Sequence, residues 1–121
     1  MSKKTLADYL RDMLHELDEI AAFTLEGKAA FMTDAKTRKA VIRSYEVVGE
    51  ICKRLPDDLR RANPQLDWRR LIGFRDFLAH HYEEVILGFV WDAVEDLPTL
   101  RAAVETMLDG LDEQVDDNDR G

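Results

Sequence analysis

The chain lacks the residues that staple a fold, anchor it in a bilayer or cradle a nucleotide. Its single cysteine, Cys52 among 121 residues, excludes an internal disulfide and a multi-cysteine zinc site. No leader of charged, apolar and small residues stands at the N-terminus, and no apolar run approaches the roughly 20 residues that a bilayer span needs. The expectation is a cytoplasmic protein with no membrane contact. No glycine-rich phosphate loop and no Cys/His zinc spacing occurs, which argues against a nucleotide-hydrolysing or zinc enzyme and leaves no cofactor implied. Convincing strand patterns, repeats and internal linkers are absent as well. A single domain of this length buries roughly two thirds of its unfolded surface and needs no staples.

What the sequence does hold is helical periodicity. Leu6, Leu10, Met13, Leu14, Leu17, Ile20 and Ala21 recur at three- and four-residue steps, with Thr5 and Asp8 as a capping start and Gly27 as a stop. Val41, Ser44, Tyr45, Val48, Ile51, Cys52 and Leu55 repeat the pattern, with Thr33 or Asp34 as cap and Pro56 closing the segment. Residues 56–64 read as a connector with room for one helical turn, and Asp67 caps a third helix over 68–82. Residues 86–108 form a further amphipathic stretch that Pro98 kinks or splits. These segments predict an all-α, up-and-down bundle of four to five helices over residues 1–108, followed by an acidic, disordered tail over 109–121.

Charge is segregated along the chain. The net charge of -8 conceals a central belt, residues 36–75, with eleven basic side chains against five acids, or +6; the remainder carries -14. Charges beyond about 10 Å are largely screened at ordinary salt, so the local belt is compatible with a phosphate-bearing partner such as RNA despite the overall sign. Solvated helix faces would give a similar count. Asp8, Asp12, His15 and Glu19 share one face of the first helix and read as its hydrated side rather than as a metal site.

The stretch RDFLAHHY, residues 75–82, is the densest in chemistry. On one straight helix Leu71, Leu78, Ala79 and Tyr82 fall near the face of Arg75, whereas His80 lies about 140° around and about 7.5 Å further along. Arg75 and His80 therefore reach one site only if the helix end is distorted or a second copy contributes. Arginine on such a face pairs ordinarily with an internal carboxylate, here Glu46 or Glu50, and a histidine near a helix end is favoured by the helix dipole. In combination they offer a phosphate-recognising cation and a group that moves a proton near neutrality, the minimum for metal-free RNA cleavage. His81 points elsewhere and reads as incidental.

Arg75-Asp-Phe-Leu-Ala-His80-His-Tyr82 resembles the Arg-x-x-x-x-His-x-Tyr signature of HepT-like toxins in the HEPN superfamily of helical ribonucleases. YEVVGEICKRLP (45–56) is similar to the family's Gly-Glu helix, DWRRLIGFRDFLAHHY (67–82) to its motif helix, and VWDAVEDLPTL (90–100) to the segment that follows. The resemblance spans about residues 6–108. It implies a metal-independent endoribonuclease toxin that acts as a homodimer with both motif helices lining one cleft. Arg75 would hold the scissile phosphate and His80 would be the general acid or base. Asp76, where the family has a polar residue, and Glu50 would support the site. Tyr82 matches the tyrosine that an MNT-type nucleotidyltransferase antitoxin modifies with AMP. A slight preference for tRNA over mRNA also follows from the family. The competing expectation is a non-catalytic helical module that binds a nucleotidyltransferase and helps position its substrate.

Overall fold

The computed structural model describes residues 3–120, with side chains described as far as residue 111. Regular structure among these is helical throughout: α1 (Leu6–Phe23), α2 (Lys28–Thr33), α3 (Ala35–Arg54), α4 (Asp57–Arg61), α5 (Trp68–Ile72), α6 (Phe74–His80), α7 (Glu83–Glu95) and α8 (Leu97–Arg120). The all-α class is as the periodicity implies, but eight helices stand where four or five were expected. The added ones are short. α2 fills the link after Gly27, whose positive φ of 90° turns the chain into it, and α4 is the single turn expected between Pro56 and Pro64.

Caps fix the long helices where the sequence places them. The Thr5 hydroxyl accepts from the Asp8 amide at 3.1 Å while the Asp8 carboxylate accepts from the Thr5 amide at 2.9 Å, a reciprocal box that opens α1. Asp34 accepts from the Lys36 amide at 3.1 Å to open α3, and Asp67 from the Arg70 amide at 3.0 Å to open α5. Pro98 does not interrupt a helix. It is the second residue of α8, where an amide has no intrahelical partner to lose, and the chain breaks instead at Asp96. The expected tail over 109–121 falls for the most part outside the residues whose side chains are described.

α3 is the hub, in contact with α1, α2, α5 and α6; α8 packs on α1, and α7 on α8. Leu10, Met13, Leu17 and Ile20 of α1 meet Val41, Tyr45, Val48 and Cys52 of α3, and α8 adds Leu100, Val104 and Met107. Phe31 tilts against Trp91 with ring centroids 5.5 Å apart, which closes one end of the core. Truncating a fully buried leucine here costs on the order of 2–5 kcal/mol. Asp18 of α1 and Arg101 of α8 form an ion pair outside this core, and pairs as exposed as these add little.

Burial pushes the Cys52 thiol up to about 12 from an ordinary 9.0 and raises the Tyr45 hydroxyl further. A raised acid favours the fold while the unfolded thiol is still protonated, and that contribution drains away as pH climbs from about 9 toward 12. Urea unfolding should therefore show stability falling across this window, by roughly 1.4 kcal/mol per pH unit at most for one group. Cys52→Ala should flatten the early part of the fall relative to its own value at pH 8.

Candidate active site

Between α5 and α6 the expected single helix is broken. Gly73 closes α5 through its amide, 2.9 Å from the Arg69 carbonyl, and opens α6 by accepting from the Phe77 amide at 3.0 Å. The face shared by Leu71 and Arg75 on one straight helix therefore does not carry across Gly73, while the count from Arg75 to His80 within α6 stands. α6 ends at His80, His81 is extended, and Tyr82 is the N-cap of α7. Tyr82 does not share a helical face with Arg75; it stands 88 % exposed in the joint between two helices.

Arg75 is placed by α3. At the crossing of α3 and α5 the side chain is missing for a reason: a Cβ on Gly49 would meet the Leu71 carbonyl oxygen at 2.6 Å. With the backbones that close, Arg75 Nε reaches Glu46 Oε2 at 3.4 Å and Nη1 reaches Glu50 Oε1 at 3.5 Å. Both partners considered from the sequence are engaged at once. Glu50 also lies 3.5 Å from Lys53. Arg75 remains 61 % exposed, so the pairs orient the guanidinium more than they stabilise the protein.

His80 looks into a different space. It lines an open cleft of about 500 Å³ together with Asp67, Arg69, Arg70, Asp76 and the rings of Phe77, His81 and Phe89. Asp76, one turn before His80, shares this cleft, and Arg75 is not among its walls. Within one copy the structure brings Asp76 and His80 together and sets Arg75 with Glu46 and Glu50 on the α3 side. This is the separation that turn counting predicts.

Aromatic packing under the cleft was not legible in the sequence. His81 stacks on Phe77 at 3.8 Å between centroids and 14° between planes, and Phe77 stacks on Phe89 at 3.9 Å and 20°. Phe89 continues to Phe74 at 5.7 Å, and Phe74 to the buried Tyr45 at 5.6 Å. His81 Nδ1 donates to the Phe77 carbonyl at 2.8 Å, which fixes the ring and its proton on that nitrogen. The i, i+4 spacing of Phe77 and His81 was the available signal; the His81 ring is stacked and hydrogen-bonded to Phe77.

Two further features lie nearby. A cavity of about 160 Å³ is lined by Tyr45, Gln65, Arg70, Asp96 and Thr99, with Arg70 paired to Asp96 at 2.9 Å. The Tyr45 hydroxyl and Arg70 Nε have no hydrogen-bond partner among the described residues. On the hydrated face of α1, Asp8 serves the cap, Asp12 pairs with Lys4 at 2.6 Å and His15 lies 3.4 Å from Glu19. Among the described residues no group of three or more His, Cys, Asp or Glu side chains is placed to hold a metal ion, and no helix is long and apolar enough to cross a membrane.

The fold and site define a small helical bundle that presents an arginine and a histidine from one short helix. Known proteins place it further. A family model described as "Ribonuclease HepT-like" matches residues 13–107. The protein named probable ribonuclease HepT of Thermococcus cleftensis is 37 % identical over 107 residues, 87 % of this chain and 97 % of its own. Two proteins of Methanocaldococcus jannaschii named as candidate RNases are also similar. One is 41 % identical over 95 residues, 78 % of either chain; the other is 32 % identical over 116 residues, 94 % of this chain and 100 % of its own. No solved structure matches significantly. The chain belongs to the HepT-like ribonuclease family.

Gly49→Ala tests the crossing on which Arg75 depends. The added methyl must force α3 and α5 apart, and the substitution is expected to cost about 1–3 kcal/mol in urea unfolding, although alanine is the better helix former. An unchanged or raised stability would show that the helices do not approach as described.

Proposed function

We propose that this protein is a metal-independent endoribonuclease toxin of a toxin-antitoxin pair, with Arg75 and His80 as its catalytic residues. The observation that carries the proposal is the joint one of family and place. The chain belongs to a ribonuclease family, and α6 presents both Arg75 and His80 to solvent. His80 would take the proton of a ribose 2′-hydroxyl, whose oxygen attacks the adjacent phosphorus. The bond to the 5′-oxygen breaks, that oxygen receives a proton, and a 2′,3′-cyclic phosphate remains. Arg75 would stabilise the charge that gathers on the phosphoryl oxygens. Because Arg75 and His80 face different spaces in one copy, a two-fold homodimer with apposed α6 helices would assemble the set. Asp76 beside His80 and Glu50 beside Arg75 would orient the two groups.

Tyr82 supports the regulatory half of the proposal. Its hydroxyl-bearing ring is the most exposed of the large hydrophobic side chains among the described residues, so an MNT-type nucleotidyltransferase antitoxin could add AMP without unfolding anything. The phosphate and bulk added there would oppose RNA. The family favours tRNA slightly over mRNA as target. One observation favours the rival, a non-catalytic module docked to a nucleotidyltransferase: the charge of Arg75 already faces two carboxylates.

Cleavage of labelled total RNA in EDTA by protein with bare Tyr82 separates the two. The enzyme reading expects 2′,3′-cyclic phosphate ends and losses of about 100-fold or more in His80→Ala and Arg75→Ala. Intact RNA would leave the docking module as the better account.

A further inference from the structure

The rings beside His80 form a continuous column. It starts at Tyr45, 2 % exposed in the core, and runs through Phe74, Phe89 and Phe77 to His81, which is exposed at the cleft. Phe77 cannot carry two rings on one face at 3.8 and 3.9 Å, so His81 and Phe89 cover its opposite faces. The near-parallel planes leave the outer face of His81 as the free end of the stack. The hydrogen bond from Nδ1 to the Phe77 carbonyl holds that face in place.

A fixed, flat, exposed ring is what an unpaired nucleobase stacks on. Such stacking tolerates any base, since every base has a π-face. The cleft walls add Arg69 and Arg70 within the cationic belt, a charge suited to the phosphates on either side of a stacked base. Asp67 and Asp76 match these arginines in number, and Arg70 is also paired to Asp96. From these observations the geometry points to His81 as a base platform, on which a single-stranded nucleotide next to the scissile phosphate stacks while His80 meets its ribose-phosphate. This rests on the ribonuclease reading and adds a binding role for a residue outside the Arg-x-x-x-x-His set. RNA is the occupant that the position beside His80 favours over a ring from a second copy.

The test uses the full chain as His80→Ala, which keeps bound RNA uncut, with a short single-stranded oligoribonucleotide carrying 2-aminopurine at successive positions. Stacking quenches the fluorescence of that base. The parent should bind with strong quenching at one position. Adding His81→Ala should weaken binding about tenfold and remove the quench, within the worth of one stacked base. His81→Phe should restore both, because it keeps a ring stacked on Phe77 although it loses the hydrogen bond to the Phe77 carbonyl. Circular dichroism and thermal midpoints establish that each variant folds.

Equal binding and quenching with and without the His81 ring would overturn the platform, as would a parent that never quenches. Loss of the dimer in His81→Ala, read by sedimentation, would overturn it in favour of a contact between copies. The ribonuclease reading is judged separately: wild-type protein that cuts RNA in EDTA keeps it standing when the platform fails, and wild-type protein that leaves RNA intact removes both.

Discussion

Where α3 crosses α5, only a hydrogen fits between Gly49 and the carbonyl of Leu71, since a side chain would stand 2.6 Å from that oxygen. This contact sets how near the motif segment lies to the central helix. Glu46 and Glu50 are one turn apart on α3, and the close crossing brings Arg75 within 3.4 and 3.5 Å of them. The same crossing seats Leu71 and Phe74 in the core, so the short helix that carries Arg75, Asp76 and His80 is anchored by its apolar side. Site geometry and core packing are thus one constraint.

Electrostatics divides the work between position and attraction. Glu46 and Glu50 share the guanidinium of Arg75, and both carboxylates and the arginine keep contact with water. Ion pairs of that kind hold a side chain's direction at little energetic return. A phosphate arriving at Arg75 would compete with them for the same donors. On the opposite side of α6 the walls are mixed, with Arg69 and Arg70 set against Asp67 and Asp76. The overall charge of -8 describes neither side.

Much of this was legible in the sequence because it is local. Thr5, Asp34 and Asp67 act as caps where their positions imply, since a cap needs only the next few amides. The core faces of α1 and α3 follow their three- and four-residue steps, and Arg75 finds the acids named for it. What failed depended on continuity or on tertiary packing. Gly73 interrupts the motif segment, its ψ of 7° lying off the helical value, so a count of 100° per residue does not carry across it from Leu71 to Arg75. Tyr82 leaves the helix of Arg75 at a second break, where α6 ends at His80. The column from Tyr45 to His81 draws on three helices and a joint, so no spacing within one segment could reveal it. Eight helices replaced four or five because α2 is too short to show a period, the turn expected at α4 stands as a helix of its own, and Gly73 divides the motif segment.

α3 also resists change of length. Its one register serves α1, α2, α5 and α6 together, with Val41, Tyr45 and Val48 turned to the core and Glu46 and Glu50 to Arg75. An insertion or deletion of one residue between Val41 and Gly49 would turn one half of the helix by about 100° relative to the other. The core could keep its partners or the acids could keep theirs, but not both. Length variation in such a chain belongs where no helix spans it, in the 62–67 connector between α4 and α5, and α3 can drift in composition only while its count of residues is held.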